Sequence, residues 1–162
     1  MEELAQGLHR RSWRVSRSSP RTEFTIVAST GQERTHDLEV IRTFLAEGFE
    51  TIDVIDRATA RLAKNRVEAE PLAEMLASIA TLRNACRALG FRNLSEICFE
   101  GSILLNYLQH ELLAVTPEIV AVLKRMAFAI NCILRNIQNS GREGDHPDRE
   151  LAGALARLQE SD

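Results

Sequence analysis

Between Leu72 and Leu89, apolar residues recur every three or four positions, and the repeat stops at Gly90. At about 100° per residue, this spacing places the apolar side chains on one face of an α-helix. A glycine often follows the last helical residue, because it adopts left-handed backbone conformations at little cost. The stretch therefore predicts an amphipathic helix with one face in a core. Its opposite face carries small and polar residues: Ala80, Arg83, Asn84 and Arg87.

The same apolar period recurs on both sides of this helix, which we expect to run from about Glu68 to Leu89. One stripe, over residues 38–62 and including Leu38, predicts a first helix that begins near Thr35 or His36. Another, over residues 94–112, predicts a third helix whose stripe ends at Leu112. Because only two or three residues separate the second helix from the third, these two should be antiparallel neighbours.

Thr116-Pro117-Glu118 is a helix start signal, with a threonine that can cap, a proline suited to the first turn and an early carboxylate. It predicts a fourth helix with a broad apolar sector. A polar turn then separates this helix from a short fifth one over about 148–159. The fold class predicted by four long amphipathic helices with short connections is all-α, an antiparallel four-helix bundle with a short fifth helix at its C-terminal end.

Composition limits the function. The formal net charge of −3 over 162 residues argues against general nucleic-acid binding, which needs a strongly basic face. No apolar run reaches the roughly 18 residues needed to cross a bilayer, and the first residues lack the apolar centre of a signal peptide. We therefore expect a cytoplasmic protein without membrane insertion, whose partners are proteins or small molecules.

The first 34 residues differ in composition from the rest. Within it, residues 10–21 carry five arginines interleaved with serines and Pro20, so this piece has little apolar surface to bury. It predicts a flexible basic arm over 1–34, followed by the helical domain over 35–162. A solvated leader is the simpler interpretation, and a docking arm for an acidic partner is the alternative.

Cysteine and histidine show no pattern of a metal or catalytic set. Cys86, Cys98 and Cys132 are far apart in sequence and lie in apolar segments, which favours reduced thiols in a core. The histidines are also scattered. None has both a basic residue and a small residue at helical spacing, and the His and Cys spacing does not form a metal-binding set. We expect no metal, no cofactor and no enzymatic activity. The four histidines are His9, His36, His110 and His146.

The stretch Ala80-Thr81-Leu82-Arg83-Asn84, followed by Leu89-Gly90-Phe91, resembles the histidine-containing phosphotransfer (HPt) domain. It is most similar to the N-terminal domain of the chemotaxis histidine kinase CheA. Those domains carry His-Thr-Leu-Lys-Gly and then Leu-Gly-Phe or Phe-Gly-Phe at this spacing. The resemblance covers about residues 36–160 and implies a helical bundle that exchanges phosphoryl groups with receiver domains of response regulators.

Three departures from the family pattern coincide. Ala80 stands where the family has its phosphorylated histidine, and Asn84 stands where the family has a glycine that leaves room for the incoming active site. Ser102 falls where the family has a carboxylate that orients the histidine. The combined loss favours natural divergence over a single substitution made at Ala80. The resemblance therefore implies a domain that cannot carry phosphate on this face, and no other histidine has the surroundings that the chemistry uses.

The surface around Ala80 can still bind a partner protein without transferring a phosphoryl group. If the second and third helices are neighbours, an apolar patch edged by guanidinium groups lies around Ala80, and family complexes pack a receiver helix on such a patch. We expect a receiver or a histidine kinase to bind there and the domain to modulate two-component or chemotaxis signalling. The alternatives are a structural bundle that forms a homodimer or scaffold, and a patch buried within the bundle. The predicted partner-binding residues are Leu76, Ala77, Ala80, Arg83, Asn84, Arg87, Phe99, Ser102 and Ile103.

Overall fold

The computed structural model describes residues 31–160, with side chains from His36 onward. The predicted arm lies outside this part, apart from the backbone of residues 31–34, which belongs to the first helix. Between residues 31 and 160 the chain is all-helical and contains no β-strand, which confirms the predicted all-α class. The helices are α1 (Gly31–Lys64), α2 (Glu70–Leu89), α3 (Arg92–Gln109), α4 (Pro117–Ser140) and α5 (Leu151–Glu160).

Local capping signals fix three of the helix ends. Gly90 ends α2 with a left-handed φ of 80°, and its N–H donates to the carbonyl of Cys86. Thr116 begins α4, because its hydroxyl accepts a hydrogen bond from the N–H of Ile119 at 3.3 Å. Gly141 ends α4 in the same left-handed conformation as Gly90, with φ 71°. These ends match the predicted ones within one or two residues.

Arg61 lies near the end of α1 and holds the connection to α2. Its guanidinium forms ion pairs with Glu68, with Glu70 at 2.7 Å and with Glu74 at 3.5 Å. The hydrogen bonds that the guanidinium donates to the first two carboxylates raise the pKa of Arg61 above its ordinary value. Glu68 lies in the connection between the helices. α2 begins at Glu70, two residues later than the sequence predicts.

Each of the first four helices contacts two others of this set. α1 contacts α2 and α4, α3 contacts α2 and α4, and α5 packs on α3 and α4. The backbones of the pairs α1–α3 and α2–α4 do not come close to each other. Phe44 of α1 stacks on Phe91 at the start of α3, with ring centroids 5.1 Å apart. The core draws on all five helices.

Glycines allow two close helix approaches. A Cβ added to Gly48 on α1 would lie 2.8 Å from Cδ1 of Leu134 on α4. A Cβ added to Gly101 on α3 would lie 2.4 Å from Sδ of Met126, which is also on α4. Both distances are shorter than van der Waals contact, so α4 packs directly against the backbone of two neighbouring helices.

Two predicted core residues are exposed. Leu38 is 54% exposed, because the first fully buried apolar residue of α1 is Phe44 and the earlier turns extend beyond the core. Leu112 is 61% exposed, because α3 ends at Gln109 and Glu111 adopts a positive φ of 57° that turns the chain away. Helical periodicity alone was wrong at both positions.

An ion pair fastens α5 to α4. The Arg125 guanidinium donates from Nε and from one terminal nitrogen to the two carboxylate oxygens of Asp148, each at 2.9 Å. Such a forked pair fixes the orientation of both side chains. Asp148 lies in the turn just before Leu151, so this contact positions the beginning of α5. None of the helices between residues 31 and 160 combines the length and apolar character needed to cross a bilayer.

Candidate functional site

A cation–π contact joins α2 to α3 at the surface. The Arg83 guanidinium carbon lies 4.7 Å from the centroid of the Phe99 ring. Arg83 is half-buried, whereas Phe99 is 42% exposed. A contact of this kind contributes about 0.5–1 kcal/mol at an exposed site. It holds a positive charge in a defined position beside an aromatic surface that remains open to solvent.

Small and apolar side chains surround this pair. Leu76 on α2 and Ile103 on α3 are half-buried, and Leu76 also packs against the core. Ala77 and Ala80 are exposed, and their methyl groups project only a short distance from the helix backbone. Because α2 and α3 are in contact, these residues lie along one pair of neighbouring helices. We call this surface, formed by Leu76, Ala77, Ala80, Arg83, Asn84, Arg87, Phe99 and Ile103, the α2–α3 face.

No nucleophile lies ready at Ala80. Its side chain is a methyl group, and the neighbouring Thr81 donates its hydroxyl to the carbonyl of Ala77 at 3.0 Å. This hydrogen bond directs the hydroxyl proton of Thr81 back to its own helix. Asn84, one turn later, is exposed, and its amide occupies the space that a glycine would leave free. The methyl group of Ala80 can contact a partner, but it cannot itself accept a phosphoryl group.

Ser102 lies below the surface of the α2–α3 face. It is 8% exposed, and its hydroxyl donates to the carbonyl of Phe99 at 2.7 Å. Its own carbonyl accepts a hydrogen bond from the side-chain amide of Asn106 at 2.9 Å. The hydroxyl is therefore used within α3, and of the predicted partner-binding residues Ser102 is the one that the structure buries.

Three arginines give the α2–α3 face a positive end. Arg87 in the last turn of α2 and Arg92 at the start of α3 are exposed, and Arg83 lies one turn before Arg87. Among residues 36–160, none of the carboxylates forms an ion pair with any of the three. Arg92 is not among the residues predicted from the sequence, although its place directly after Gly90-Phe91 could have indicated it. Guanidinium groups that have no carboxylate partner among residues 36–160 favour a partner with an acidic surface.

The described histidines form no second site. His36 and His110 are exposed, and the Nδ1 atom of half-buried His146 accepts a hydrogen bond from the N–H of Asp148 at 3.2 Å. Within the described part of the chain, no group of three histidine, cysteine, aspartate or glutamate side chains could hold a metal ion. His9 lies outside the described residues.

The sequence matches none of the protein-family models and none of the curated proteins with which we compared it. The resemblance to the HPt domain therefore stands on the residues around Ala80 and Gly90 and stays a prediction. The α2–α3 face is defined by the exposure and contacts of its own residues, and its definition does not depend on that resemblance.

Proposed function

We propose that the chain is a catalytically inactive HPt-like domain that binds a response-regulator receiver or a histidine kinase without carrying phosphate. In this proposal α1 to α4 form an antiparallel four-helix bundle and α5 packs beside α3 and α4. The pattern of close backbone approaches supports that arrangement, since among α1 to α4 the pairs α1–α3 and α2–α4 are the two whose backbones stay apart. Binding would modulate two-component signalling, such as that of chemotaxis.

The observation that carries the proposal is the Arg83–Phe99 contact beside the exposed Ala80. It provides an apolar surface on which a helix can lie and a positive charge at the edge of that surface. Receiver domains present a helix next to an acidic phosphorylation pocket, as the resemblance to the HPt domain implies. Arg87 and Arg92 form no ion pair with the carboxylates of residues 36–160, and they extend the positive charge along the same end of the face.

Binding to isolated receiver domains and histidine kinases tests the partner. We expect binding to one of them, measured by titration calorimetry, and at least tenfold weaker binding after Arg83→Glu or Leu76→Asp. Arg83→Glu reverses a charge at the centre of the α2–α3 face, and Leu76→Asp places a carboxylate on its apolar part. Lys124→Glu is the matched control, because Lys124 is exposed on α4. Equal affinities for Arg83→Glu and Lys124→Glu would place the partner elsewhere.

A phosphoryl-transfer assay tests whether the chain carries phosphate. Incubation of the full chain with a phosphorylated receiver, or with an active kinase and ATP, should leave no acid-labile label on the chain. The variant Ala80→His is the informative comparison, because it restores the family nucleophile on an exposed turn of α2. Label on any histidine of the unaltered chain would contradict the proposal.

The alternative function is a dimerisation or scaffold domain without receiver binding, and the open ring of Phe99 is the observation that favours it. Exposed aromatic surface is common where two copies of a chain meet. Sedimentation equilibrium separates the two functions. A dimer that dissociates on Phe99→Asp, in a chain that binds no receiver or kinase, would support the scaffold function.

A further inference from the structure

A second surface lies between α1 and α2. A groove of about 440 Å³ separates the first half of α1 from the last turns of α2. Apolar side chains line its inner part, where Phe44 is buried and Leu89 is half-buried. Val40 is 38% exposed at the edge of the groove, so solvent now contacts apolar atoms that a bound side chain could cover.

The α1 edge of the groove is acidic. Glu39 and Glu47 both line it and both are exposed. They are separated by about 12 Å along the helix, at a rise of roughly 1.5 Å per residue. Among residues 36–160, no lysine, arginine or histidine forms an ion pair with either carboxylate. The groove therefore suits a segment that carries an apolar side chain between several positive charges.

Such a segment exists in the same chain. Residues 10–21, which lie outside the described part, contain five arginines, no acidic residue and Trp13, the single tryptophan of the protein. We propose that the α1–α2 groove binds this segment, with the Trp13 indole against the Phe44 and Leu89 surface and the arginines beside Glu39 and Glu47. The ligand is thus a basic, tryptophan-containing stretch of this chain.

Chain length permits this contact within one molecule. The segment ends at Arg21, and α1 begins at Gly31. The connecting residues 22–30 can span at most about 30 Å when extended. The groove lies between about 8 and 24 Å from the beginning of α1, at a rise of roughly 1.5 Å per residue. The connection can therefore turn back along α1 and place Trp13 over the groove.

Electrostatic attraction at an exposed edge is weak and is screened by salt. The contact should therefore loosen as ionic strength rises, and it should loosen when the charge of the groove edge is reversed. The α1–α2 groove and the α2–α3 face are separate surfaces. This inference therefore does not rest on the proposed function, and its failure would leave receiver binding untouched.

Trp13 fluorescence in the full chain tests the contact directly. We expect blue-shifted emission and several-fold weaker acrylamide quenching than in the urea-unfolded chain. The double substitution Glu39→Arg and Glu47→Arg should shift the emission to the red and raise quenching, and so should high salt. The control is the double substitution Glu50→Arg and Asp53→Arg, at exposed α1 positions outside the groove, which should change neither signal.

A photo-crosslinking amino acid at position 13 gives a second readout that does not depend on charge reversal. We expect crosslinks to residues of α1 and α2 that line the groove, within a single chain and at all protein concentrations. Solvent-like Trp13 emission in the unaltered chain would overturn the proposal. Protection that survives the groove substitutions, crosslinks to another surface, or crosslinks only between two chains would overturn it as well.

Discussion

The Glu143 carboxylate accepts a hydrogen bond from the backbone N–H of Leu94 at 2.8 Å. Its second oxygen accepts one from the N–H of Asn93 at 3.2 Å. The residue that precedes α3, Phe91, has no side chain able to cap the helix. The loop between α4 and α5 thus supplies the cap of α3, and its negative charge lies at the positive end of the helix dipole.

Removal of this cap should destabilise the protein. Glu143→Ala leaves two backbone donors of α3 without their partner, so we expect the free energy of unfolding to fall by about 1–2 kcal/mol. Glu143→Gln should cost less, because the amide oxygen can still accept one bond. Urea unfolding followed by circular dichroism measures both. Glu150→Ala, at an exposed position before α5, should change the value by less than about 0.5 kcal/mol, and an equal loss there would refute the capping role.

Two glycine substitutions should act with opposite signs. In Gly101→Ala the added methyl group meets Sδ of the buried Met126 at 2.4 Å, so we expect a loss of about 1–3 kcal/mol from overpacking. In Gly153→Ala on α5, the closest described atom is an Arg157 nitrogen at 3.6 Å, an ordinary contact. The better helix propensity of alanine should then stabilise by about 0.5–1 kcal/mol. Thermal unfolding compares the two, and a stabilised Gly101→Ala would show that α3 and α4 can separate.

Glu118 should make the folding stability of the protein depend on pH in the acidic range. Hydrogen bonds from its own backbone N–H and from the Thr116 hydroxyl favour the carboxylate and lower the pKa of Glu118 in the folded chain. Its contribution to stability is therefore complete above the unfolded pKa and is lost as the pH falls through the lower folded pKa. NMR titration of the Glu118 carboxyl carbon should give a pKa below the ordinary glutamate value. Thr116→Ala should raise that pKa, and an unchanged value would contradict the assigned cause.

The three cysteines should differ in reactivity. The neighbouring Cys98 thiol and burial both raise the pKa of Cys86, so almost no thiolate forms there at neutral pH. Cys98 is also buried, whereas Cys132 is half-buried. We expect a thiol reagent to label Cys132 first in the folded protein and the other two only after unfolding. Cys132→Ser should remove the early phase, and fast labelling that remains would point to opening between α2 and α3.

The helix ends were the most predictable part of the fold, because their signals are local. Gly90 and Thr116-Pro117 each act on the backbone within a few residues, so the sequence alone indicates where α2 ends and α4 begins. The α1 stripe was wrong at Leu38 for the opposite reason. Periodicity reports which side of a helix is apolar but not how far the neighbouring helices extend along it.

The candidate site was predictable only in part. The exposure of Ala80 follows from its place on the helical wheel, whereas the Arg83–Phe99 contact requires the rotation of α3 against α2. Ser102 falls on the correct helix, but its depth depends on that same rotation. The Glu143 cap joins this residue to Leu94, 49 positions earlier in the sequence. No local sequence pattern indicates that a carboxylate caps a helix so far away.

The close approach of Gly48 to Leu134 means that amino-acid substitutions at one of these positions depend on the residue at the other. Any side chain at position 48 would collide with the branched end of Leu134, whose methyl groups would lie within 2.9 Å of the new Cβ. A larger residue at 48 is therefore tolerable only with a smaller one at 134. Among homologous sequences, these two positions of α1 and α4 should change as a pair, so their covariation would recover this helix contact from sequences alone.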